Sequence, residues 1–173
     1  MVLYAQEEMR LTGIPASITL AQRCLESNYG TSALAQQHNY FGIKCHDASH
    51  TGKHTHCSEY RDDYPDDRFI KYPDIQSGFR AHSKLLQKER YYPLQQSSAD
   101  GFYDHCKRYY KGDSFIHLSI RPICTRQATQ HRDNPEKRYA RGLRALGYAT
   151  DPCYSSALLG YIDKHNLRQY DIF

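Results

Sequence analysis

From Pro15 to Gly30 the chain reads PASITLAQRCLESNYG, a stretch that limits the possible folds more than any other. Ile18, Ala21 and Leu25 recur at helical spacing, so this segment predicts a helix with an apolar stripe that other elements must cover. Pro15 near the first helical position and Ser17 as a cap start it, and it runs to about Ser27. Asn28, Tyr29 and Gly30 then break the pattern. One acid, Glu26, stands beside Leu25 on the edge of the stripe, immediately before the break.

The flanking segments supply partners for that helix. Residues 2–11 suit a helix ended by Gly13 as a left-handed cap. Thr31 or Ser32 can cap a short helix through Gln37. The following HNYFGIKC reads as a loop entering an extended segment, because Tyr40, Phe41 and Ile43 favour strands and Gly42 interrupts a helix. HTHCSEYRDDYPDDRFIKY reads as two extended runs around an Asp- and Pro-rich turn, a β-hairpin with Glu59 in its first strand. Asp74 or Ser77 then caps a helix with Ile75, Phe79, His82 and Leu86 on one face. Residues 100–110 are expected to be helical, whereas Lys111 to His131 has no clear period. In NPEKRYARGLRALGYATDP, Asn134 caps, Pro135 opens, Leu143 and Leu146 form the apolar face and Gly147 ends a helix. Asp151 and Pro152 repeat the opening for a last helix to about Asn166, with Ala157, Leu158, Tyr161 and Ile162 inward. The expected class is α+β, mainly helical, with one small sheet.

At 173 residues the chain is long enough for one domain with a real core. No run of about 18 apolar residues is present, so no membrane span is expected. Nor does the chain open with the basic-then-apolar pattern of a signal peptide. A net charge of +4 with ten histidines is mildly basic. Such a field favours anionic polymers without specifying one, and no nucleic-acid-binding motif is present, so a nucleic-acid partner is not expected. Sixteen tyrosines without a tryptophan could line a sugar-binding groove with flat faces and polar tips, or serve as ordinary core and rim residues.

The six cysteines are Cys24, Cys45, Cys57, Cys106, Cys124 and Cys153, and they permit many pairings. Cys45 with Cys57 is the pair expected first, because the segment between them looks like a short excursion returning on itself. That excursion also carries His46, His50, His54 and His56, which are zinc donors by type. It lacks the tight C-x-x-C or H-x-x-x-H spacing of familiar sites, so no metal and no cofactor is expected.

A glutamate at a helix end is usually solvated. Beside a buried stripe, however, desolvation raises a carboxyl pKa and holds the proton toward neutrality. A protonated carboxylic acid of that kind can protonate a glycosidic oxygen as the bond breaks. Spacing alone supports that reading.

Three pieces carry it further. GIPASITLAQRCLESNYGTSALA, NYFGIKC and GYATDPCYSSALLGYIDKHNLRQYD occur in that order, and together they resemble the glucosaminidase family, glycoside hydrolase family 73. The resemblance covers most of the chain and implies one domain over 1–173, with a lysozyme-like α+β fold, a β-lobe at about 40–72 and a possible insertion at about 111–133. It implies a peptidoglycan hydrolase cutting the β-1,4 bond after N-acetylglucosamine, with glycan strands as partner. The protein would then act as a monomer outside the cytoplasm. Carried onto matching positions, it implies Glu26 as catalytic acid, Tyr148 as a tyrosine close to the reacting sugar and Glu59 as a second acid on the β-lobe. Tyr29, Asn39, Phe41 and Tyr60 are the corresponding candidates for substrate binding.

Structural roles compete with these. Tyr148 could pack under the last helix, and Glu59 could answer Arg61 or Arg68. The mechanism divides on the Glu26–Glu59 separation: about 5 Å suits a nucleophile with retention, and roughly 6.5–9.5 Å suits a water-activating base with inversion. A third route would use the substrate's own acetamido oxygen with Glu26 and Tyr148. A muramidase or lytic transglycosylase of the same fold, and a glycan-binding module without catalysis, are the alternatives. The chain departs from the family where the usual glycine of ESGWG or ESGYG is Asn28, a residue that also tolerates left-handed backbone. The aromatic there, Tyr29, keeps a stacking face.

Overall fold

The computed structural model describes residues 1–45, 56–59, 68–88, 90–91, 94 and 134–172, with only the backbone at 56, 58 and 59. Tyr60, the expected helix at 100–110, the stretch 111–133, Cys106, Cys124 and most of the histidine-rich excursion lie outside these residues.

Five helices and one hairpin are described. They are α1 (Val2–Thr12), α2 (Ala16–Glu26), α3 (Ile75–Leu86), α4 (Pro135–Ala145) and α5 (Tyr154–Lys164), with β1 (His56–Glu59) and β2 (Arg68–Lys71) between α2 and α3. Short 3-10 turns occupy Ala35–Gln37 and Leu167–Tyr170. The mainly helical α+β class is the one the residue pattern predicts.

α2 is the central element. Every residue from Ala16 to Gln22 is buried, and the helix packs against α1, α4, α5 and the Leu167–Tyr170 turn. An ordinary surface helix buries one stripe; this one is surrounded over its first two turns. Its cap differs from the sequence reading. Ser17 lies inside the helix, and its backbone N–H and hydroxyl donate to the Asp171 carboxylate at 2.7 and 2.6 Å. The C-terminal segment therefore satisfies the start of α2 from 154 positions away. A distant carboxylate of this kind leaves no local signature.

Most other helix ends follow the sequence, but the last helix starts at Tyr154, two residues after Pro152, and ends at Lys164. Asp74 accepts from the Ser77 N–H at 2.7 Å and Asn134 from the Lys137 N–H at 3.0 Å. Gly13 and Gly147 both take φ 73°. Asp151 accepts from the Cys153 N–H at 2.8 Å, one residue ahead of α5. Phe79, His82 and Leu86 of α3, Leu143 and Leu146 of α4 and its end, and Leu158 and Ile162 of α5 meet in one core.

β1 and β2 pair antiparallel, with Glu59 opposite Arg68. The FGIK segment lies alongside β2: Lys44 bridges Phe69, and the Cys45 N–H donates to the Arg68 carbonyl at 2.7 Å. A Cys45–Cys57 disulfide joins that segment to β1, as expected. It also removes both thiolates from any metal site in the excursion. Cys24 and Cys153 are free.

Candidate active site

Glu26 is the last residue of α2, where the helix emerges from the core. The chain then turns sharply through Asn28, Tyr29 and Gly30 at φ 47°, 59° and 86°. A left-handed Asn is ordinary, but a left-handed Tyr is strained and persists only where its surroundings hold it. Here the Tyr29 N–H donates to the Cys24 carbonyl at 2.9 Å, and the Arg23 guanidinium donates to the Tyr29 carbonyl at 3.3 Å. At Gly30 a Cβ would come within 2.4 Å of that guanidinium. This turn ends the helix at the acid and projects Tyr29, 43% exposed, beside Tyr161 and His165, with its hydroxyl 3.3 Å from His165 Nε2.

The carboxyl of Glu26 is mostly enclosed. Desolvation raises its pKa above the usual glutamate value, and a hydrogen bond from the Tyr154 hydroxyl to Oε1, at 2.6 Å, offsets part of the rise. Among the described residues no cation is paired with it. Tyr148 stands next to Tyr154, ring centroids 5.8 Å apart, and also meets His82 and Tyr91 edge-on. Its hydroxyl is buried without a hydrogen-bond partner among the described residues. Burial, and then the nearby Glu26 charge, push that phenol well above its normal range, so it stays protonated as a donor. The structure thus places Tyr148 within electrostatic reach of Glu26.

Asn39 and Phe41 occupy positions unlike those expected for substrate contacts. Asn39 is 1% exposed, and its amide donates to the Ile43 and Ile70 carbonyls at 3.0 and 2.8 Å while accepting from the Ile43 N–H at 2.9 Å. It braces the hairpin lobe to the helical body. Phe41 is buried with its ring stacked on His82 at 3.9 Å. Both residues support the site from behind. Glu59 is at the end of β1; its side chain lies outside the described residues.

Sequence reading missed Gln22, His82 as a polar group, and Tyr154. Gln22 lies one turn before Glu26 on the same helix face, and a glutamine one turn after Ile18, beside the apolar stripe, was the signal available. A cavity of about 550 Å³ between the hairpin and α3, lined by Ile43, Ile70, Tyr72, Ser77, Arg80 and Lys84, does not include Glu26.

The family model described as mannosyl-glycoprotein endo-beta-N-acetylglucosaminidase matches residues 2–167. The chain belongs to the glucosaminidase family. It is a glycoside hydrolase domain. Exo-glucosaminidase LytG of Bacillus subtilis (strain 168) is 30% identical over 156 residues, covering 90% of this chain and 45% of LytG. This chain therefore spans about half the length of that curated relative. Among solved structures, the catalytic domain of the autolysin Auto of Listeria monocytogenes shares the fold with a TM-score of 0.57 at 24% identity, covering 98% of this chain and 82% of that one. A glycoside hydrolase domain of FlgJ from Salmonella typhimurium gives a TM-score of 0.57 at 20% identity, over 96% and 93% of the two chains. These likenesses support the lysozyme-like fold expected for the glucosaminidase domain.

Enclosure of Glu26 has a consequence for stability. Because its folded pKa is raised, the ionised form is disfavoured in the fold. Below the unfolded value near 4.5 both states are protonated and there is no penalty; it grows as pH rises toward the folded pKa and is constant above that. Glu26→Gln keeps an acceptor for Tyr154 and carries no charge. Thermal unfolding is expected to show the variant more stable than the parent at pH 7, with the difference shrinking as pH falls through the folded pKa and gone below about 4.5. A parent more stable at neutral pH would mean that Glu26 is not desolvated.

Proposed function

We propose that the protein is a peptidoglycan hydrolase acting outside the cytoplasm, which cleaves the β-1,4 bond after N-acetylglucosamine with Glu26 as general acid. The observation that carries this reading is an enclosed carboxyl with a raised pKa and no paired cation among the described residues, in a domain of the glucosaminidase family. A carboxylic acid in that state can hold its proton until a glycosidic oxygen lies within reach and donate it as the bond breaks. Tyr148 is assigned the reacting sugar, its phenol, without a partner among the described residues, donating to the acetamido oxygen or holding the attacking water. Glu59, on the β-lobe, is assigned the second acid, and Tyr29 a stacking face for a neighbouring sugar. Glycan strands are the partner.

A phenol without a partner contributes little to folding, since a buried hydroxyl left unbonded is unfavourable. Tyr148→Phe is therefore expected to leave thermal stability unchanged or higher while lowering turnover roughly tenfold or more. Unchanged turnover would remove Tyr148 from the reaction.

The test of the function is digestion of purified peptidoglycan, borohydride reduction of the new ends and mass analysis. Reduced N-acetylglucosamine ends are expected. Reduced N-acetylmuramic acid would indicate a muramidase, 1,6-anhydro ends a lytic transglycosylase, and sedimentation with the wall without cleavage a binding module. The printed names of the matches differ in mode, endo for the family and exo for LytG. An early ladder of chain lengths, expected here, marks endo cleavage; small products alone from the start mark exo cleavage.

A further inference from the structure

We propose that His82 and Gln22 are positioning residues that determine, through Tyr154, which oxygen of Glu26 carries the acid proton. The proposal rests on the reading of Glu26 as the acid and extends it inward from the site.

Four side chains from three helices form one hydrogen-bonded chain. His82 Nε2 of α3 lies 3.1 Å from Gln22 Oε1 of α2, the Gln22 amide donates to the Tyr154 hydroxyl of α5 at 3.1 Å, and Tyr154 donates to Glu26 Oε1 at 2.6 Å. His82, Gln22 and Tyr154 are buried. A buried polar chain of this kind has two possible directions, and the end that cannot reverse decides between them.

That end is His82. It is completely buried with its ring against Phe41, and desolvation lowers its pKa to about 3, so the ring is neutral and carries one N–H. Its Nδ1 has no hydrogen-bond partner among the described residues. With the proton on Nε2, the ring donates to Gln22 and leaves only a bare lone pair at Nδ1. The opposite tautomer would turn the Gln22 amide over and strand a buried N–H donor at Nδ1, the more costly arrangement. The histidine therefore fixes the amide, and the amide N–H occupies the oxygen of Tyr154. The one phenolic proton is left to point at Glu26.

Oε1 of Glu26 is then an acceptor, and the acid proton resides on Oε2. In the reversed chain Glu26 would place its own proton on Oε1, directed at Tyr154 and withheld from the sugar. The titratable groups that act on Glu26 among the described residues are Tyr154 from α5 and Tyr148 from the turn after α4. Both phenols are held far above neutrality by burial, so neither changes charge over the working range.

The test follows the Glu26 carboxyl directly, by NMR of the intact chain labelled with 13C at glutamate carboxyls and assigned with Glu26→Gln, in parallel with wall cleavage against pH. Tyr154→Phe and Gln22→Met are each expected to raise the Glu26 pKa, move the alkaline limb of the rate to higher pH and lower the plateau rate roughly tenfold. The double variant is expected to go no further than the larger single effect, because one pathway is broken twice. His82→Phe keeps a ring against Phe41 and is expected to shift the titration in the same direction by less; it serves as the second variant where Gln22→Met does not fold. An unchanged Glu26 titration in folded variants, with rates reduced only in proportion to the folded fraction, would overturn the proposal and leave these residues as packing. So would additive shifts in the double variant. If the parent cleaves no wall, the hydrolase reading fails, yet the titration still reports whether the chain governs the carboxyl.

Discussion

Glu26→Gln is expected to fold normally and to lose about 10²–10⁴-fold in release of reducing ends from peptidoglycan, the range by which a positioned general acid accelerates such a step. The substitution keeps shape and keeps an oxygen for the Tyr154 hydroxyl, which lies 2.6 Å from Oε1 in the parent. It removes only the transferable proton. Loss of turnover should therefore accompany undiminished binding to the wall, with higher stability at neutral pH because the desolvated charge is gone. The pairing matters because a substitution that merely damaged the fold would lower turnover and stability together. Here the group that costs the fold stability is the one proposed as the acid. A variant that loses turnover and stability together would point to Glu26 as a structural residue.

Asn39→Ala is expected to lower stability by roughly 2–5 kcal/mol, because it leaves the buried Ile70 carbonyl and the half-buried Ile43 N–H with a lost partner, at about 1–3 kcal/mol for the first and about 1–2 for the second. For a chain of this size that is a fall in Tm of about 5–20 °C, measured by calorimetry or circular dichroism. The effect should extend to activity through the lobe. Asn39 is the side chain that ties residue 43 and β2 residue 70 together beside the helical body, so its loss lets the hairpin, with Glu59 at the end of β1, shift relative to Glu26. Asn39→Asp is expected to be no better, since its second oxygen would face two carbonyls. If Asn39→Ala kept its Tm within a couple of degrees and raised KM alone, the residue would be a substrate contact after all.

These two residues show where sequence is informative and where it is not. Glu26 was legible because an acid beside a periodic apolar stripe, followed by Asn28-Tyr29-Gly30, breaks a local rule, and because the surrounding motifs resemble a family. The caps at Asp74 and Asn134 and the left-handed ends at Gly13 and Gly147 were legible for the same reason: each is a decision made within one turn of chain. Asn39 and Phe41 were placed at the substrate because their motif is a family signature, and a motif does not say whether its residues face the ligand or the frame. What sequence could not show is contact across distance. Asp171 caps α2 from the far end of the chain, and His82, Gln22 and Tyr154 align only when three helices pack. Gln22 reads locally as a polar residue on the buried side of a helix, and its partners are 60 and 132 positions away.

The most direct measurement sets two titrations side by side: the rate of glycan cleavage by the parent across pH, and the carboxyl resonance of Glu26 over the same range. The expected result is coincidence, with activity falling on the alkaline side where Glu26 ionises, at a pH above the ordinary glutamate value of 4.5. An alkaline limb unrelated to the ionisation of Glu26, or a Glu26 that titrates as a free glutamate while cleavage continues at neutral pH, would contradict its role as the acid.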